Sequence, residues 1–144
     1  MFIDTKGSLF ENKYDAVINT VNCQGVMGTG IALEFKTKHP DMFKQYKLDC
    51  DRDKIRIGKG SRFDCNNGLI IFNLPTKPNW YDKSTVHYIE EGLFWLRKEL
   101  ELEETMKVAI PQLGCGNGGL QWQVVKPIIK NQLKNLHHEI YLFK

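Results

Sequence analysis

"VINTVNCQGVMGTGIALEF", Val17–Phe35, decides the fold. It opens on a β-branched run suited to a strand, passes through glycines 25, 28 and 30, and continues at once into a helix-like segment. Glycines lacking Cβ let a ligand approach the backbone, and the free N–H groups of a first helical turn favour an anion such as phosphate. One loop of this kind is equally a tight turn with no ligand. A second, "GCGNGG" at Gly114–Gly119, repeats the order of apolar strand, glycine loop and helix. Two such loops at one sheet edge can close on a diphosphate from both sides, so a pyrophosphate ligand is the favoured reading. There is no G-x-x-x-x-G-K-[ST], and the glycine order is not G-x-G-x-x-G, so neither a P-loop nor a Rossmann site is expected.

Outward from the first loop, the chain alternates strands and helices. Strands are expected at Phe2–Asp4, Asp15–Val21, Asp53–Phe63, Gly68–Pro75, Lys107–Leu113 and Glu139–Phe143. Helices are expected in "IALEFKTKH", ended by His39-Pro40, in "DMFKQYKL", and across residues 84–104. In this last segment Val86, Ile89, Leu93, Leu96 and Leu100 form one apolar face, with Ser84 as N-cap. A final helix is expected over Val124–Leu136, with Pro127 in its first turn. This order predicts an α/β fold: three α/β/α layers around a mixed or largely parallel sheet, with ligands outside the carboxyl ends of the strands.

Composition bounds the function. With 144 residues, 42% hydrophobic and 26% charged, one globular domain is expected over 1–144. No membrane span or signal peptide is read, and a cytoplasmic location follows from four unpaired-looking cysteines without C-x-x-C spacing. No metal site and no cofactor are expected, since His39, His87, His137 and His138 show no ligand spacing. The net charge is +3, yet residues 36–62 carry nine Lys or Arg against four Asp, a local excess available to a polyanion or to ordinary solvated surface.

The stretches "AVINTVNCQGVMGTGIALEFK", "NLPTKPNW" and "IPQLGCGNGGLQW" together resemble a macro domain, the α/β/α module that binds ADP-ribose. Within that family the chain is most similar to the DarG-type antitoxins, DNA ADP-ribosyl glycohydrolases that remove ADP-ribose from thymidine after a DarT-type toxin has added it. It is also similar to the terminal ADP-ribose glycohydrolases. The resemblance implies that Gly25, Val26, Met27, Gly28, Thr29, Gly30 and Ile31 on one loop wrap the diphosphate and distal ribose. Leu113, Gly114, Cys115, Gly116, Asn117, Gly118, Gly119 and Leu120 would do so on the other. It implies substrate contacts from Ser8, Leu9, Asn19 and Thr76, and catalytic roles for Asn22, facing the scissile bond, and Lys77, the lysine of "PTK".

Three positions depart from the family pattern. Ser8 stands where many members have an adenine-contacting Asp, Gly118 where the terminal glycohydrolases have a catalytic acid, and Asn79 where DarG-type sequences often have His. The expected partners are ADP-ribose, ADP-ribosylated single-stranded DNA and a cognate DarT-type toxin, without a membrane. The expected reaction is hydrolysis at the anomeric carbon of ADP-ribose; the alternatives are a non-catalytic reader, or a hydrolase of ADP-ribosyl esters or of ADP-ribose 1''-phosphate. Lys77 would act as a nucleophile on the opened ribose or as a cation beside the departing base. From residue type alone, Lys77 is an exposed lysine at a turn, Asn22 a loop asparagine, Cys115 a small packed side chain, and Trp80 either core or a stacking surface.

Overall fold

The computed structural model describes residues 1–143 and holds six strands and four helices. In chain order they are β1 (Phe2–Thr5), β2 (Ala16–Val21), α1 (Gly30–Lys38), α2 (Pro40–Asp51), β3 (Ser61–Asp64), β4 (Ile70–Pro75), α3 (Val86–Glu101), β5 (Lys107–Ile110), α4 (Trp122–Gln132) and β6 (Glu139–Phe143). The strands form one sheet in the order β1-β6-β5-β2-β4-β3, parallel everywhere except the β3–β4 edge pair.

Helices cover both faces of this sheet, which explains why β4 is buried at all six positions and reads as an unbroken apolar run. Side-chain alternation divides the core in two. Ala16 and Ile18 of β2 join Leu93 and Leu96 of α3 and Val125 and Ile129 of α4 on one face. Val17 and Val21 join Phe35 of α1 and Met42 and Tyr46 of α2 on the other. The helix α3 spaces Ile89, Leu93, Leu96 and Leu100 on a single stripe, all four fully buried.

Three expectations about element ends are corrected. The N-cap of α3 is Thr85, whose hydroxyl accepts from the Tyr88 N–H at 3.2 Å; Ser84 lies one residue earlier and is buried. The strand expected over 53–63 is confined to β3, because Asp53 adopts a left-handed φ of 55° and residues 56 to 59 fold back on themselves. The alternation there comes from a turn that buries Ile55. Finally, α4 begins two residues earlier than expected, at Trp122, so Pro127 lies inside the helix and leaves the Gln123 carbonyl without its usual donor. Among the described residues, no helix is long and apolar enough to cross a membrane.

Candidate functional site

The three central strands β5, β2 and β4 all end on the same side, and the segments leaving them enclose a cleft of about 670 Å3. From β2 comes the first glycine loop, contributing Asn22, Val26, Gly28 and Thr29, with Gly30 and Ile31 opening α1. From β4 come Thr76 and Lys77. From β5 come Gly114, Gly116, Asn117 and Gly118 of the second loop.

The first loop is held from within by Asn22. Its Nδ2 donates to the Val26 carbonyl at 2.8 Å, while its Oδ1 accepts from the backbone N–H groups of Gln24 and Val26 at 3.0 and 3.4 Å. The buried Tyr46 hydroxyl, reaching up from α2, shares its hydrogen between the Asn22 carbonyl at 2.8 Å and Oδ1 at 3.0 Å. With its hydrogen bonds directed into the loop, Asn22 shapes the wall of the cleft. At the loop's end, Thr29 gives α1 no side-chain cap, and the first turn carries no acidic residue. Its N–H groups are left open to an anion, with no carboxylate in the first turn to oppose it.

The second loop depends on Gly118. A Cβ there would lie 2.5 Å from Ser84 Oγ and closer still to the Gly114 carbonyl, so the position has no room for a side chain. Gly114 itself has a φ of 72°, the left-handed region that glycine enters at little cost. The two loops meet where Asn117 Nδ2 donates to Thr29 Oγ1 at 2.7 Å.

Lys77 is half-buried, and its ammonium has no hydrogen-bond or ion-pair partner among the described residues. Burial lowers its pKa, the nearby Lys83 lowers it further, and Asp82 opposes both. Lys83 also lines the cleft, with Nζ 3.4 Å from the Asn117 carbonyl. Asp82 is the one carboxylate in the lining, and its Oδ2 already accepts from the Asn79 N–H at 2.9 Å. The result is a cationic, amide-rich cleft suited to a ligand with several negative charges.

Not every residue named from the sequence reaches this cleft. Asn19 is fully buried: strand alternation carries it to the α1/α2 face, where its Nδ2 donates to Asn73 Oδ1 at 3.0 Å and approaches Met27 Sδ. Met27 is buried over it. Ser8 and Leu9 lie in the β1–β2 connection and do not line the cleft; Leu9 lines a second cavity of about 600 Å3. Gly25, Leu113, Cys115, Gly119 and Leu120 belong to the loops but do not line the cleft. The Cys115 thiol donates to the Leu113 carbonyl and burial raises its pKa, which suits packing rather than attack. Among the lining residues that the sequence reading missed are Tyr81, Asp82, Lys83 and Gln112. Lys83 could have been suspected, lying six residues from Lys77 and next to Asp82.

A family model described as "Macro domain" matches residues 18–129. The chain belongs to the macro domain family. A protein of Thermus aquaticus named "DNA ADP-ribosyl glycohydrolase" is 38% identical over 143 residues, which is 96% of this chain and 40% of that relative's length. Among solved structures, this macro domain is similar to the macrodomain of Thermus aquaticus DarG, with a TM-score of 0.92 and 39% identity over all of this chain and 98% of that one. It is also similar to Thermosipho africanus DarTG in complex with ADP-ribose, with a TM-score of 0.83 and 28% identity over 97% of this chain and 41% of that one.

Proposed function

We propose that this macro domain binds ADP-ribose attached to thymidine in single-stranded DNA and hydrolyses the bond between the sugar and the base, reversing the action of a DarT-type toxin. The reading is carried by Lys77: an unpaired amine just past the end of β4, opening into a cleft whose other walls are two glycine loops. It is supported by the name of the Thermus relative and by the ADP-ribose held by the Thermosipho neighbour.

In the reaction the bond from the anomeric carbon to the base nitrogen breaks, the nitrogen keeps the electron pair and takes a proton, and water supplies the hydroxyl that ends on the sugar carbon. Thymine spreads the departing charge over its flanking carbonyls, so the step makes a modest demand on a general acid. The transition state has oxocarbenium character. The α1 N-terminus and the second loop hold the diphosphate and Asn22 fixes the loop beside the distal ribose; Lys77 Nζ bonds to the anomeric carbon as the base departs, and water then adds to that carbon and expels the amine, which restores Lys77 and leaves the hydroxyl on the sugar. Glycine at 118 weighs against the lysine-plus-acid arrangement that ester hydrolysis would use, because an acid there collides with Ser84 and Gly114.

The test is incubation with a thymidine-ADP-ribosylated oligonucleotide. The unaltered protein is expected to release ADP-ribose, while Lys77→Ala is expected to lose at least about 100-fold in rate and still bind ADP-ribose by calorimetry. Equal rates for the two proteins would overturn the role of Lys77. Binding without any product would make the domain a reader.

A further inference from the structure

Trp80 and Tyr81 are 59% and 64% exposed, side by side at the mouth of the cleft, with ring centroids 5.5 Å apart and planes at 90°. Two adjacent rings left this open form a contiguous apolar patch beside the cleft, the kind of surface that marks an interaction site. Their backbone is not free to fold them away. The Asp82 N–H donates to the Asn79 carbonyl at 3.1 Å and the Asn79 N–H to Asp82 Oδ2, closing residues 79 to 82 into a tight turn. This turn is fastened to the first glycine loop twice: the Trp80 N–H donates to Gln24 Oε1 at 3.0 Å, and the Cys23 N–H to the Pro78 carbonyl at 2.9 Å. The segment that carries Lys77 is therefore built to hold two rings rigidly in water.

Two lysines lie on the segments that carry and hold the pair. Lys83 follows it in the chain, and Lys47 of α2 is exposed and runs alongside Gly25, the next residue to Gln24. The carboxylate next to Lys83, Asp82, is occupied inside the turn. Aromatic faces with phosphate-binding amines on either side are the means by which single strands are held without reading their sequence.

We propose that Trp80 and Tyr81 stack on the unpaired bases beside the modified nucleotide, with Lys47 and Lys83 on the adjoining phosphates, so that the domain acts on single-stranded DNA in preference to a free nucleoside. The proposal rests on the function given above but has its own observable. Trp80 is the most exposed of the three tryptophans, so unmodified oligo(dT) of about ten nucleotides should quench its fluorescence, and Trp80→Phe should remove that quench while keeping affinity.

For catalysis, the ratio of kcat/KM on an ADP-ribosylated oligonucleotide to kcat/KM on thymidine-ADP-ribose is measured. Trp80→Ala and Tyr81→Ala should each lower that ratio about 10-fold or more, through KM, and Trp80→Phe should restore most of it. An unchanged ratio, or no binding of oligo(dT) by the unaltered protein, overturns the proposal. So does a loss of free ADP-ribose affinity in Trp80→Ala as large as the loss on DNA, which would assign the ring to the ligand's own adenine. If the unaltered protein binds and is quenched by oligo(dT) but cleaves neither substrate, the hydrolase reading fails while the strand-binding surface stands.

Discussion

At the scale of single residues, Lys77 and its surroundings give opposite signs to the two roles open to a lysine here. Burial and Lys83 both favour the neutral amine. A neutral nucleophile makes the rate rise with pH to a plateau, whereas a stabilising cation makes it fall as the amine deprotonates. We expect the rising limb, with a midpoint below that of a free lysine. Lys83→Met removes a neighbouring positive charge, raises the Lys77 pKa and should move the limb to higher pH. Asp82→Asn removes the opposing carboxylate and should move it lower. A pH–rate series on the three proteins checks all of this.

The neighbouring thiols behave differently. Burial raises the pKa of both Cys23 and Cys50 to about 11, so at pH 8 both remain protonated. Alkylation monitored by mass should be at least about 10-fold slower at either than in the urea-unfolded chain. Tyr46→Phe strips Asn22 of a buried donor and should cost about 1–3 kcal/mol in urea unfolding, with weaker ADP-ribose binding as the first loop loosens.

At the scale of elements, most of the fold was legible because each strand and helix had its own period. The apolar run at Gly68–Pro75 and the stripe on residues 86–100 need no tertiary information to be read. What escaped were features decided by contact. The alternation at 53–63 mimics a strand because a turn also buries every other residue it can, here Ile55. The early start of α4 escaped because tertiary packing of Val125 and Ile129 outweighs the proline inside it. The loops of the site were legible as glycine patterns, but Asn19 and Asn22, both polar and three residues apart, could not be told apart by type. Strand alternation sends one beneath Met27 and the chain's exit from β2 brings the other to the cleft. Packing predicts that Leu93→Ala, at the centre of α3, costs about 2–5 kcal/mol in urea unfolding, while Thr85→Ala at its cap costs about 1 kcal/mol.

At the scale of the whole molecule, one sheet serves two cores and one cleft. The three strands at its middle deliver the glycine loops and Lys77, so the site is anchored on the most buried part of the sheet. The basic stretch at 36–62 is distributed along α1, α2, the following turn and the start of β3 and is partly consumed by the protein itself. Lys36 and Lys38 lie over the rings of Phe43 and Phe10, and Arg62 pairs with Asp64 and Glu103. The positive field available to a strand is therefore smaller than the charge count suggests. We expect KM for oligonucleotide substrates to rise with salt with a log–log slope of about 1 to 2, since each phosphate contact on a single strand contributes about 0.7. A slope near 6 would mean that the whole run engages the strand.

The tight seat of Gly118 against Ser84 and the Gly114 carbonyl also limits where this lineage can go. A descendant could not acquire a second reactive group at that position through one nucleotide change. It would first have to rebuild the seat itself, passing through intermediates in which the second loop is displaced. Natural variation and directed selection should accordingly leave residue 118 alone and explore the rim of the cleft, where new specificities can arise one codon at a time.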